Sequence, residues 1–162
     1  MAEASMTLIT RAEVTSISDV TTGRKALVLD GNTLELGTTG LRDLSGMFKS
    51  GSVLGGRVIV RRTGSTVTWH FIGVQIAANA THPWEIITAS SALLPFAPEV
   101  NIYEAAMSNG SDTGRILIDA AGAVSVHYGE PSNSYTAVIT FNTGRSWPSS
   151  LPGVVNGQSV GV

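Results

Sequence analysis

Residues Arg57–Ile76 read RVIVRRTGSTVTWHFIGVQI. Two runs of strong β formers flank Thr63-Gly64-Ser65, and a Gly-centred turn between such runs predicts a β-hairpin. In the second run Trp69 and Phe71 alternate with Thr68 and His70, the period of a strand with one face inside. Working outward, short β-rich runs recur between turn residues. Downstream these are Glu85–Ser90 (EIITAS), Val100–Ser108 (VNIYEAAMS), Arg115–Asp119 (RILID), Val124–Tyr128 (VSVHY) and Tyr135–Asn142 (YTAVITFN). Ala120–Ala123 joins the third and fourth of these as a second hairpin, with Asp119 at the edge of its turn. Upstream, Ala12–Val20 is a weak strand pattern, and Lys25–Asp30 and Thr33–Leu36 flank Asp30-Gly31-Asn32 as a further hairpin. Leu41–Phe48 spaces its apolar residues for one or two helical turns at most. Leu93–Pro98 carries two prolines and is excluded from a central strand. The tail from Arg145 to Val162 is expected to be irregular and prone to fray.

Eight or so short strands at near-regular spacing, with no long helix, predict an all-β fold. The specific expectation is an antiparallel β-sandwich, jelly-roll-like, over residues 41–162, preceded by a short β appendage over residues 1–40. Composition agrees. The chain has 162 residues, enough for one domain with a core of its own. Gly, Ser and Thr supply a third of it, and charged residues only 14%, against about 25% in an ordinary globular protein. A net charge of −2 leaves no basic field for nucleic acid or anionic lipid. Without cysteine there is no disulfide, thiolate metal site or Cys nucleophile. No apolar run nears the roughly 20 residues of a membrane helix, and Met1–Thr10 lacks the pattern of a signal peptide. Low charge with a positive mean hydropathy suggests apolar surface covered by a partner or by copies of the chain.

Motifs for chemistry are sparse. His70, His82 and His127 lie far apart in unlike contexts and read as ordinary strand and loop histidines. The carboxylates Glu85, Glu99, Glu104, Asp112, Asp119 and Glu130 are scattered singly, with no spacing that marks a glycosidase pair. No calcium loop, nucleophile elbow, phosphate loop or dinucleotide fingerprint is present. The expectation is a protein that is not an enzyme and uses no cofactor or metal. Aromatics offer the alternative of a sugar-stacking platform from Trp69, Trp84, Trp147, Tyr103, Tyr128 and Tyr135. Trp69, in an apolar strand, reads as a core anchor. Trp84 and Trp147, each beside a proline, read as packing at a chain end or an interface. Arg61 and Arg62 occupy opposite faces of one strand, one solvated or at a rim, the other pairing across an interface.

The segment from Leu41 to Gly153 resembles the C-terminal head domain of bacteriophage tail-fibre and minor tail proteins, particularly of actinobacteriophages. The resemblance lies in an order of short motifs. They are TTGLRDLSGMF (Thr38–Phe48), GGRVIVRRTGSTVTWHF (Gly55–Phe71), LLPFAPEVNIYEAAMSN (Leu93–Asn109), GRILIDAAGAVSVHYG (Gly114–Gly129) and YTAVITFNTGRSWPSSLPG (Tyr135–Gly153). It implies a non-catalytic β-sandwich head that forms homotrimers in a virion made in the bacterial host's cytoplasm, with residues 1–40 docking it to other virion proteins. The function it implies is host recognition, with cell-wall carbohydrate as a partner. Exposed loops would make the contact. Candidate contact residues are Asn79, His82, Trp84, Asn109, Asp112 and Asn133, and candidate oligomer or packing residues are Trp69, Arg61 and Trp147. The chain has no coiled-coil shaft, so a capsid decoration or head-fibre protein is the alternative. A lectin-like module and a hydrolase with an unrecognised carboxylate pair are the non-viral and catalytic alternatives.

Overall fold

A computed structural model of the chain describes residues 14–29, 32–109 and 113–155. The strands are β1 (Val14–Asp19), β2 (Arg24–Leu29), β3 (Asn32–Glu35), β4 (Arg42–Asp43), β5 (Val53–Thr63), β6 (Thr66–Ile76), β7 (Trp84–Ile87), β8 (Ile102–Ser108), β9 (Thr113–Ile118), β10 (Val124–His127), β11 (Ser134–Asn142) and β12 (Val154–Val155). Two short 3₁₀ turns, Ser45–Met47 and Leu94–Phe96, interrupt them, and there is no α-helix among the described residues. Among those residues no helix is long and apolar enough to cross a membrane.

The fold is all-β and antiparallel, as the sequence predicts. β1, β2 and β3 form a separate three-stranded sheet. It meets the main body beside the β5–β6 turn, where Thr38 bridges Thr63 and the Gly64 amide donates to the Gly37 carbonyl. The other nine strands form one sheet in the order β12-β4-β5-β6-β11-β8-β9-β10-β7. This sheet curls until its far edge returns. Phe48, just beyond β4, bridges Ile87 of β7, and the Lys49 amide donates to the Ile86 carbonyl at 2.9 Å. The two layers of the sandwich-like body are therefore parts of one continuous sheet. The curl has local causes. β11 pairs with β8 through two residues only, Tyr135 and Thr136, and the β5–β6 ladder shifts register around Gly55 and Arg57. At that bulge the backbones touch, and a Cβ on Gly56, whose φ is 97°, would collide with Gly73.

The inward faces meet in one core. Val58 and Val60 of β5, Val67, Trp69, Phe71, Val74 and Ile76 of β6, and Ile116, Ile118, Val124 and Val126 of β9–β10 are all fully buried. The Trp69 and Phe71 rings stack at 6.1 Å, and Trp69 Nε1 donates to the Phe96 carbonyl at 3.0 Å. Fully burying an indole contributes about 4–6 kcal/mol at 25 cal/mol/Å², so Trp69 anchors the core. His70 and Thr68 face outward, with His70 between Ile59 and Val138 in the ladders.

Two expectations change here. The pair Arg61 and Arg62 does straddle the strand, but Arg61 is exposed and Arg62 turns into its own chain. Arg62 is 1% exposed. It donates to the carbonyls of Gly64 (3.0 Å), Pro95 (2.8 Å), Ser146 (2.9 Å) and Arg145 (2.7 Å), and its guanidinium lies 5.1 Å from the Trp147 ring centre. Trp147 is thus packed inside the chain against Arg62. The tail, expected to fray, is pinned as far as Val155. Arg42 donates to the carbonyls of Pro152 and Gly153 at 2.9 and 2.8 Å, and β12 pairs with β4. A buried guanidinium needs acceptors on most of its N–H groups, and irregular backbone carbonyls supply them.

Candidate functional site

Strands β8, β9 and β10 turn one face inward, through Ala106, Ile116, Ile118, Val124 and Val126, and the other outward. Alternation places Tyr103, Ala105 and Met107 of β8, Arg115 and Leu117 of β9, and Ser125 and His127 of β10 on that outer face. In register, His127 stands opposite Arg115, which stands opposite Ala105. Tyr103 is half exposed, and Met107 and Tyr128 are largely exposed.

The rings on this face converge. His127 lies 5.6 Å from Tyr103, 6.4 Å from Tyr128 and 5.9 Å from His82, and His82 in turn packs edge-on at 5.0 Å against Trp84. The Arg115 guanidinium sits 5.9 Å from the Tyr128 ring centre, within cation–π range. Beside them runs a groove of about 480 Å³ lined by Ala105, Thr113, Gly114, Arg115 and Tyr128. That volume is toward the low end of the roughly 300–1,000 Å³ of small-ligand sites. Gly114 is required below it, because a Cβ there would lie 2.5 Å from Tyr135 Cε1. The Tyr135 hydroxyl is fixed by donating to the Glu130 carbonyl at 2.7 Å and accepting from its amide at 2.8 Å.

Tyr128 is the unusual member. Its φ is 54°, in the left-handed region that a bulky side chain enters at a cost of order 1–3 kcal/mol. The residue is 65% exposed, so burial does little to offset that cost. The conformation turns the ring out beside Arg115 instead of into the core.

Burial holds the His127 imidazole below its ordinary value, and the neighbouring His82 adds to the effect. Ser125 Oγ and His127 Nε2 share a hydrogen bond at 2.9 Å, which orients the ring. Among the described residues no carboxylate bonds the other His127 nitrogen, and no group of three His, Cys, Asp or Glu side chains is arranged to hold a metal ion. The arrangement is suited to stacking on a polar ring and to charge recognition.

The structure sorts the sequence candidates. Of the six aromatics considered for a platform, Trp69, Trp84, Trp147 and Tyr135 are buried, and Tyr103 and Tyr128 are exposed. Trp84, expected in a contact loop, opens β7, is 5% exposed and donates from Nε1 to the Ala80 carbonyl. Its neighbour Pro83 suggested a loop, but the strand begins directly after it. His82 is exposed and joins the patch. Asn79 lies exposed in the same loop. Asn109 serves its own chain, its Oδ1 accepting from the Ser134 amide at 2.8 Å, and the Asn133 carbonyl accepts from the Ile76 amide. Asp112 lies outside the described residues. Tyr103 and Tyr128 stood in the sequence only as members of the possible platform, His127 read as an ordinary strand histidine, and Arg115 was not a candidate. The alternation in VSVHY and RILID marks their outward faces, but nothing local shows that those faces adjoin. No protein-family model matches the chain, and no curated protein shows significant similarity to it.

Proposed function

We propose that the chain is a non-catalytic host-recognition head domain of a bacteriophage virion, tail-associated and homotrimeric, that binds bacterial cell-wall carbohydrate. The convergence of Tyr103, His127 and Tyr128 beside Arg115, with Tyr128 held outward in a costly conformation, carries the carbohydrate part of this reading. Aromatic faces stack on the apolar faces of sugars; strands hold Tyr103 and His127 in place, and Tyr128 follows directly on the end of β10. Weak single contacts suffice when many copies act from one particle. The resemblance of residues 41–153 to tail-fibre heads supports the virion part.

The test is binding of purified protein to isolated actinobacterial cell walls, together with gold-labelled antibody against the chain on virus particles. Wild-type protein should sediment with the walls, the Tyr103→Ala/Tyr128→Ala protein should not, and the label should sit at the tail end. Walls that hold both proteins equally would refute the patch. Label spread over the capsid would make the chain a decoration protein, and label on no particle would refute the virion reading.

A further inference from the structure

The lining of the groove says what kind of sugar it suits. A neutral sugar is usually held by carboxylate, Asn or Gln side chains that bridge its hydroxyls, and among the described lining residues none is of those types. The polar anchor is the Arg115 guanidinium. Four other arginines are committed: Arg42 and Arg62 to backbone carbonyls, Arg57 to Asp43 at 2.8 Å, and Arg145 to the Ala120 carbonyl at 2.9 Å. Arg61 is exposed on β5, away from the groove. Arg115 makes no hydrogen bond or ion pair among the described residues, and its guanidinium lies over the Tyr128 ring.

Among the described residues the nearby carboxylates do not satisfy it. Glu85, on the same outer face beside Ser125, is taken by Lys49 at 2.6 Å. Glu104 alternates to the opposite face of β8. A second groove, of about 400 Å³ near Leu94, Glu99 and Arg145, carries its own carboxylate and an arginine already in use. A guanidinium laid on a ring is partly immobilised and offers its planar fork to a planar anion. In a uronic acid the carboxylate is fixed one bond from the pyranose ring. A sugar packed on the Tyr128–Tyr103 surface therefore holds that carboxylate close to the ring edge, within reach of Arg115.

We propose that the patch recognises an acidic sugar of the uronate type, with Arg115 binding the carboxylate and Tyr103 and Tyr128 packing on the ring. This rests on the reading of the patch as the carbohydrate site.

Titration calorimetry of the full chain against three probes tests it: a uronate oligosaccharide, the matching neutral hexose oligosaccharide, and a glycerol-phosphate polymer. The uronate should bind at least tenfold more tightly than the neutral probe. Arg115→Gln should remove about that factor for the uronate alone, as expected for one charge-assisted contact. Arg115 is exposed, and an unchanged melting temperature of the variant shows that the loss is not unfolding. Raising the salt from 50 to 500 mM should weaken uronate binding and leave the neutral probe unaffected. Equal binding of uronate and neutral probes, untouched by Arg115→Gln, would overturn the acidic-sugar inference and leave the carbohydrate reading intact. Preference for the phosphate polymer over the uronate would overturn the uronate assignment. Binding of no probe, with no retention on cell walls, would overturn both.

Discussion

Tyr128 is where conformational cost and exposed surface coincide, and a substitution series separates them. At φ 54° a residue with a Cβ is disfavoured by about 1–2 kcal/mol. Glycine escapes that cost but loses about 0.4–1 kcal/mol through the greater freedom of its unfolded chain. Asparagine tolerates the left-handed region and has no such entropic loss. Tyr128→Ala, Tyr128→Gly and Tyr128→Asn all remove the ring and its contacts with Arg115 and His127, so differences among them report the backbone alone. The Asn variant should be more stable than the Ala variant by about 1 kcal/mol, which is about 2–4 °C in melting temperature for a chain of this size. The Gly variant should equal or exceed the Ala variant. At an ordinary strand position the order of Gly and Ala is the reverse, so the sign of that difference is the decisive readout. Thermal melts followed by circular dichroism suffice, and all three proteins should lose retention on cell walls. An Ala variant clearly more stable than both others would refute the argument that Tyr128 is held against its backbone preference.

Three further outcomes follow from the same geometry. Arg62→Met withdraws a donor from the carbonyls of Gly64, Pro95, Arg145 and Ser146. At about 1–3 kcal/mol for each buried carbonyl left unpaired, partly recovered by relaxation and water, the loss should be about 3–5 kcal/mol by urea unfolding. A loss under 1 kcal/mol would mean the clasp adds nothing net. Acidification should destabilise the fold through His127. Its folded value is depressed by burial and by His82, so the unfolded chain takes up the proton first. Stability contributed by the neutral ring is full above about pH 6.5 and is lost as the pH falls through the lower folded value. The groups facing that ring are Arg115, Tyr103, Ser125, His82 and Tyr128, with Glu85 paired to Lys49. His127→Gln should flatten the dependence between pH 7.5 and 5, and a variant with the wild-type slope would place the titration elsewhere. Light scattering should give about three times the 16.9 kDa of one chain, and a single-chain mass at every micromolar concentration would count against the trimer.

The sequence exposed features whose causes are local. The alternation of Val67, Trp69 and Phe71 with Thr68 and His70 needs only a buried face, and Thr63-Gly64-Ser65 needs only a turn. Asp119 was likewise readable, because its Oδ1 accepts from the Ala121 and Ala123 amides a few residues away. The closing contact of Phe48 with Ile87 was not readable, since no residue pattern marks which strand edges meet after the sheet has curled. Arg62 shows the same limit. Alternation sent one arginine inward, but three of its four acceptors lie 33, 83 and 84 residues along the chain, so an interface between copies was an equally good sink for it. Trp84 was misplaced because Pro83 suggested a loop while the burial that decides its role is tertiary. The patch draws on His82, Tyr103, Arg115, His127 and Tyr128, which come from separate parts of the chain, and only the β8–β9–β10 ladders bring most of them together.

The buried Arg42 and Arg62 and the exposed Arg115 are linked by what the fold must do. A recognition surface made of two phenols and a guanidinium works only if its rings are already in place, because each immobilised side chain otherwise subtracts about 0.5–1.5 kcal/mol from a weak contact. The ladders fix Tyr103 and Arg115 on neighbouring strands, and Tyr135 against Gly114 fixes the turn that carries Tyr128. Arg62 and Arg42 hold the irregular C-terminal segment against the other half of the same sheet. Their guanidinium groups are consumed by carbonyls that no strand partner satisfies. Arg115 projects from the middle of a regular ladder whose carbonyls are already paired, so its donors have no backbone sink. The antiparallel sheet thus separates the two uses of the same side chain. Arg42 and Arg62 fasten the chain to itself, and Arg115 on the flat face of β9 is left facing solvent, where an anion can reach it.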